Sequence, residues 1–261
     1  MCWVERHSVF DDGSRLIVES SGLVSENSLR LVDRLGTVSA LGLPAGYSTA
    51  IPLLVARNNR LILIHAKTRS DIVNFSELGD LYVYDMEEER FRLRMERVGT
   101  AVAKKVDSVA AVWCLTPKGS LCEIDLLSGE TREHFQFPEL VQHMRPRCLL
   151  TNADGRWLCA VGAYPNVIAW LIDVETGSNF QLRLPEGLGS IDEVEFTSRG
   201  IALTVMDDDV RPVRMTLLLG DVPDGEFSPS WSFSGGSRPR FDPRTNTLYF
   251  IKQRVKDKWW G

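Results

Sequence analysis

The side chains best able to do chemistry in this 261-residue chain are scattered rather than grouped. Its four histidines, His7, His65, His134 and His143, have no spacing that would put two on one metal. Nor does any stand in a triad pattern with a nucleophile and a carboxylate, so structural roles are expected. The densest acidic run is Asp207-Asp208-Asp209. Calcium needs about six oxygen ligands or more, and this run lacks the alternating spacing of a calcium loop, with Arg211 close by as a counter-charge. A solvated hairpin loop is therefore expected, and no metal or other cofactor. Ser234-Gly235-Gly236-Ser237 lacks the lysine and the strand–helix setting of a phosphate loop. Among the five cysteines, Cys2, Cys148 and Cys159 show no zinc-type spacing. Cys114 and Cys122 flank Thr116-Pro117-Lys118-Gly119-Ser120 symmetrically, so a tight hairpin would set them opposite each other. Two buried core thiols is the plain reading; a redox pair is the sharper one.

These residues must be positioned by something, and the chain supplies a period. Short polar turns lead into apolar runs centred on residues 17, 63, 111, 158, 203 and 249, about 46 residues apart. Examples are Asn58-Asn59 before Leu61-Ile62-Leu63-Ile64 and Asp154-Gly155 before Trp157-Leu158-Cys159-Ala160-Val161. A second phrase recurs within each period: an apolar run ending in Asp33, Asp85, Asp125, Asp173 or Asp221, followed by a turn. Asp125 is followed by Gly129, Asp173 by Gly177 and Asp221 by Gly225, each four residues on. The carboxylate accepts from backbone N–H groups just ahead of it, and glycine supplies the positive φ that ends the turn. Outer segments alternate, as in Arg90, Arg92 and Arg94 between Phe91, Leu93 and Met95, which predicts arginines along one face of an edge strand. Inner runs are continuous, as strands buried on both faces should be.

Four strands per period, repeated, predict an all-β chain of β-propeller blades. The phrases resemble those of WD-repeat and related propellers, each aspartate standing where the Asp of the Trp-Asp dipeptide falls. Phe10-Asp11-Asp12-Gly13-Ser14-Arg15-Leu16 looks like the usual turn between a blade's first two strands. The residues before the aspartates are Val32, Tyr84, Ile124, Ile172 and Gly220, never tryptophan, so a diverged propeller is the expectation. About six blades are predicted, with five as the alternative. Cys2-Trp3-Val4-Glu5-Arg6-His7 is expected to finish the last blade, so that both termini close the ring.

Composition narrows the function. Net charge is −5 and the pI is near 5.5, against general nucleic-acid binding, which needs a basic surface. No apolar run is long enough to span a membrane as a helix. Glu5, Arg6, Asp11 and Asp12 interrupt the apolar core a signal peptide would need. A single domain over 1–261, a monomeric ring and a cytoplasmic location are expected. The connection over 67–79 is longer than its counterpart at Tyr164-Pro165-Asn166, and long loops in compact domains are often functional. The resemblance implies that it opens on the face where propellers bind. The candidate partner-binding residues are Arg69, Asp71, Phe75, Tyr164, Asp208 and Arg211, of types that anchor interfaces. With no catalytic constellation, a non-enzymatic module binding a protein partner is the expected function, a toxin- or effector-neutralising immunity protein being one form. The alternative is a propeller hydrolase or lactonase with a site at the channel mouth.

Overall fold

The computed structural model describes residues 3–9, 15–20, 27–55, 61–74, 78–105, 108–138, 140, 146–163, 167–185, 190–197, 200–207, 214–221, 227–234, 237–242 and 247–252. Strands dominate these residues. The first sheet is β1 (Trp3–Val9), β2 (Arg15–Ser20), β3 (Asn27–Val32) and β4 (Val38–Leu41), hydrogen-bonded in that order. The second holds β5 (Thr49–Val55), β6 (Leu61–Lys67), β7 (Gly79–Asp85) and β8 (Arg90–Val98), with helix α1 (Arg69–Val73) between β6 and β7. The third runs β9 (Thr100–Lys105), β10 (Ser108–Leu115), β11 (Ser120–Asp125) and β12 (Thr131–Gln136). The fourth contains β13 (Pro146–Thr151), β14 (Trp157–Ala163), β15 (Val167–Asp173) and β16 (Asn179–Gln181). The fifth contains β17 (Ser190–Phe196), β18 (Gly200–Asp207), β19 (Arg214–Asp221) and β20 (Phe227–Ser234). β21 (Ser237–Asp242) and β22 (Thr247–Lys252) form a sixth, two-stranded sheet among the described residues. The pairings are antiparallel meanders, and each apolar run of the period is the second strand of its sheet.

The chain divides into two compact units, Met1–Leu149 and Leu150–Gly261. In the first, β6 shows why the inner runs are continuous. Leu61 to Ala66 are all buried, and successive side chains leave opposite faces. Leu61 and Leu63 join Val112, Cys114 and Ile124 of the third sheet and Leu126 in the turn after β11. Ile62, Ile64 and Ala66 join Leu29 and Leu41 of the first. In the second unit, Cys159, Ala169 and Leu171 meet Ile191, Val194, Ile201 and Leu203 in the same way, fourth sheet against fifth. Each buried leucine contributes about 2 kcal/mol of hydrophobic stabilisation, so stacked sheets that share such layers hold one another.

The turns after Asp125 and Asp173 form as read, while residues 222–225 of the third such turn lie outside the described residues. Asp125 Oδ1 accepts from the N–H groups of Leu127 (3.0 Å) and Ser128 (2.7 Å), and Gly129 closes the turn at φ 78. Asp173 Oδ1 accepts from Glu175 (2.9 Å) and Thr176 (3.4 Å), with Gly177 at φ 75. Asp33 lies one residue beyond its strand and accepts from Leu35 and Thr37, both at 2.8 Å.

Two expectations are corrected. Trp3–Val9 pairs with β2 and is a strand of the first sheet, not of the last. A partner close in sequence closes a short loop, whereas the last blade is the whole chain away. On β8 the apolar residues do not share an inward face: Phe91 packs against the layer shared with the first sheet and Met95 against the layer shared with the third. The register slips between Leu81 and Tyr82, whose partners are Met95 and Leu93, so Arg94 is bulged. Leu93 is left 43% exposed while Arg92 and Arg94 are half-buried.

Candidate functional site

The long connection after β6 is built around a helix start. Thr68 stands at N-cap with φ −75 and ψ 165, and its Oγ1 accepts from the Asp71 N–H at 3.2 Å. Asp71 Oδ2 reaches back to accept from the Thr68 N–H (3.1 Å) and hydroxyl (2.7 Å), completing a capping box. Five helical residues are too few to be stable alone. The second carboxylate oxygen supplies the missing restraint, accepting from Arg97 Nη1 of β8 at 2.6 Å. Burial raises the Asp71 pKa, but the Thr68 and Arg97 hydrogen bonds outweigh it and hold the carboxyl below its usual value.

Arg97 is itself held in the left-handed region at φ 57, a conformation non-glycine residues adopt only under constraint. Its N–H donates to Asp80 Oδ1 at 2.8 Å. The other Asp80 oxygen accepts a short hydrogen bond from the Tyr47 hydroxyl. Tyr82 donates to Tyr47 at 3.2 Å, and the two rings meet edge-on with centroids 5.3 Å apart. Burial, then the Asp80 carboxylate, pushes the Tyr47 phenol well above its normal pKa, so it remains a proton donor. Beneath this network His65, 5% exposed, has Nε2 2.9 Å from the Val98 carbonyl. A carbonyl only accepts, so Nε2 carries the proton; burial lowers the His65 pKa and keeps the ring neutral. A Cβ at residue 79 would come within 2.5 Å of the Ala66 carbonyl and 2.7 Å of His65 Nε2, so only glycine fits there.

The chain Thr68–Asp71–Arg97–Asp80–Tyr47–Tyr82 thus fixes α1 to the second sheet. Both carboxylates are engaged internally, so the arrangement holds the surface of α1 in place. That surface presents Arg69, exposed on α1, Val73 at 62% exposure and the Arg97 side chain at 53%.

Of the six candidates read from sequence, Arg69 and Asp71 fall together on α1, with Asp71 turned to the clamp. Phe75, Tyr164, Asp208 and Arg211 lie outside the described residues. Sequence reasoning missed Tyr47, Asp80, Val73 and Arg97. Thr68-x-x-Asp71 was a readable capping signal; the Arg97 backbone conformation left no signal at all.

Among the described residues, His134 also has internal partners. His134 Nε2 lies 2.9 Å from Glu123, which also takes Lys104 at 2.6 Å, and its ring meets Trp113 edge-on. Among the described residues, no group of three His, Cys, Asp or Glu could hold a metal ion, and no helix is long and apolar enough to cross a membrane. A cavity of about 30 Å³ lies between Arg92, Arg94, Asp85 and Leu127. Arg92 pairs there with Glu88 at 2.5 Å, and Arg94 donates to the Leu126 carbonyl from Nε (3.0 Å) and Nη2 (2.8 Å).

Four-stranded meanders stacked face to face define an all-β fold of the propeller kind. Solved structures agree. A prolyl endopeptidase superposes with a TM-score of 0.59 at 10% identity, over 96% of this chain and 42% of its own. The Cps50 (Swd1) β-propeller domain of Myceliophteria thermophila gives 0.56 at 11%, over 88% and 72%. TolB from Acinetobacter baumannii gives 0.50 at 15%, over 82% and 51%. The chain therefore spans less than half of the prolyl endopeptidase and about half of TolB. No family model and no curated protein matches the sequence. Propellers of hydrolases and of non-enzymatic proteins stand side by side among the neighbours, so the likeness shows the fold and leaves the activity open.

Proposed function

We propose that the protein is a non-enzymatic interaction module that binds a protein partner through the connection carrying α1. One observation carries this reading: a five-residue helix, unstable by itself, is fixed by a capping box, an Arg97 clamp and a strained backbone, yet buries none of its own residues. A connection stabilised so heavily from below, with Val73 and Arg69 facing outward, suits a surface already ordered before its partner arrives. Phe75, Tyr164, Asp208 and Arg211 are the further anchors proposed from sequence. In this reading the chain is a single-domain, monomeric, cytoplasmic ring of six blades, a count supported by five four-stranded meanders and a sixth, two-stranded sheet among the described residues. Neutralising a toxin or effector is one form such a module takes.

The test compares wild type with the double variant Arg69→Glu/Val73→Asp as baits from the native cell. Both substituted side chains are exposed, so the melting temperature should stay within about 1 °C. Partner recovery should fall at least tenfold. Equal recovery of the same proteins by both baits would remove α1 as the binding surface. The hydrolase alternative draws support from the fold alone, and turnover in an esterase and lactonase screen would restore it.

A further inference from the structure

We infer that Cys114 and Cys122 form a reversible intramolecular disulfide by exchange with a small-molecule disulfide such as oxidised glutathione. The two residues are direct partners across the antiparallel β10–β11 ladder. The hairpin mouth fixes which kind of pair they are. Thr116 N–H bonds to the Ser120 carbonyl at 2.9 Å, so pairs alternate from there and Cys114–Cys122 is again a hydrogen-bonded pair. Its Cα atoms are then about 5.5 Å apart, in the middle of the range that disulfides span. Both thiols are reduced in this structure, and Cys114 Sγ lies 3.5 Å from Met95 Sδ. A bond between the two cysteines therefore requires side-chain rotation together with a small local approach of the strands, because the Cβ atoms of such a pair stand about 5.5 Å apart and a disulfide holds them at about 4 Å.

Both thiols are buried, so access depends on local opening at the outer edge of the third sheet. β12 is its edge strand, and its register slips opposite Cys122: Leu121 pairs with Phe135, and Cys122 with Glu133. His134 is the extra residue, so a bulge on an edge strand lies opposite Cys122 in the ladder, its ring turned to the other face against Trp113 and Glu123. Such places open locally at far lower cost than the whole domain unfolds. The two thiols also differ. The Cys122 contact and burial push the Cys114 pKa up, while the contact with Cys114 lowers that of Cys122. Cys122, which keeps 4% exposure where Cys114 has none, is the attacking group.

The exchange balances in two steps. The Cys122 thiolate attacks one sulfur of glutathione disulfide; the old S–S bond breaks, and the departing glutathione thiolate takes up the proton that Cys122 released. Cys114 then loses its proton, attacks the Cys122 sulfur of the mixed disulfide and expels the second glutathione, which is protonated in turn. Two protein thiols are oxidised and one disulfide becomes two thiols. The product ties the two central strands of the third sheet, the layer that meets Leu63 and Leu81 of the second.

The experiment equilibrates the full chain in buffers of graded oxidised-to-reduced glutathione ratio, quenches with acid, alkylates under denaturing conditions and maps the peptides. The expected result is a joined pair of peptides linking Cys114 to Cys122, about 2 Da lighter than the two free thiols, that reverts in excess reduced glutathione. Both cysteines remaining alkylatable in the most oxidising buffer would overturn the inference. So would bridges confined to other cysteines, or the same pattern of bridges from native and from denatured protein. Cys114→Ser should stop at a Cys122–glutathione adduct, and Cys122→Ser should leave Cys114 as a free thiol. The opposite assignment would refute the order of attack. The wild-type map decides the bridge itself even where a variant fails to fold.

Discussion

The turn after β7 and the turn after β11 begin with the same aspartate and end in different residues. Asp85 Oδ1 accepts from the N–H groups of Glu87 (3.1 Å) and Glu88 (3.4 Å), as Asp125 does from Leu127 and Ser128. Four residues after Asp125 stands Gly129 at φ 78; four after Asp85 stands Glu89 at φ 50. The carboxylate therefore makes the turn, and glycine is not required for its shape. What glycine does at residue 129 becomes visible across the sheets. A Cβ there would lie 2.8 Å from Arg94 Nη1, the guanidinium that spans from β8 to the Leu126 and Leu127 carbonyls. Gly129 makes room for a neighbouring sheet's arginine, and the turn after β7 has no such visitor among the contacts just named.

If the carboxylate is the essential part, removing it should cost most. Asp173 is the sharpest case, being 4% exposed, with two turn N–H groups and Arg156 Nη2 (3.0 Å) on its oxygens. Asp173→Ala should lower stability by roughly 2–3 kcal/mol in urea unfolding, since buried donors lose their acceptor. A loss below 0.5 kcal/mol, within the ordinary scatter of surface substitutions, would contradict the priority given to the aspartate. Acid should act on the same group. Burial raises the Asp173 pKa, but Arg156 and the turn N–H groups outweigh it, so the folded value lies below the usual 3.8 of an aspartate. A depressed folded pKa means its stabilisation is complete above 3.8 and is lost as pH falls through the folded value. Asp173→Asn should therefore lose less stability than wild type below that pH.

Gly129→Ala comes next, at about 1–2 kcal/mol, combining positive-φ strain with the displacement of Arg94. An Arg94→Ala background separates the two causes. There the same substitution should cost only the φ strain, and an unchanged cost would mean that Arg94 yields freely.

How much of this was legible differs from element to element. The aspartate turns were, because cause and effect lie within four residues. The opposition of Cys114 and Cys122 was, because a hairpin of symmetric length fixes its own register. The apolar period was, because both faces of strands such as β6 are buried. α1 was not, since five residues hold too little periodicity to compete with a loop reading, although Thr68-x-x-Asp71 was there to be seen. The candidate site was least legible. Tyr47 meets Asp80 across 33 residues and Asp71 meets Arg97 across 26, contacts that only the stacked strands create. The bulge at Arg94 broke the expected apolar alternation of β8 for the same reason: an outer strand answers to its neighbouring sheet as well as to its own alternation.

The smallest effect is the finest test of the comparison. Glu89→Gly removes a side chain from the left-handed region, relieving strain of about 1–2 kcal/mol. Glycine also gains freedom in the unfolded chain, which returns roughly 0.5–1 kcal/mol of that. The net expectation is a gain of about 0.5 kcal/mol, readable as a higher urea midpoint at unchanged slope. Asparagine, which tolerates positive φ without glycine's entropy, should do at least as well. If both variants lose stability instead, the Glu89 side chain contributes an interaction of its own, and the turn after β7 would then be maintained by its acidic residues as well as by Asp85.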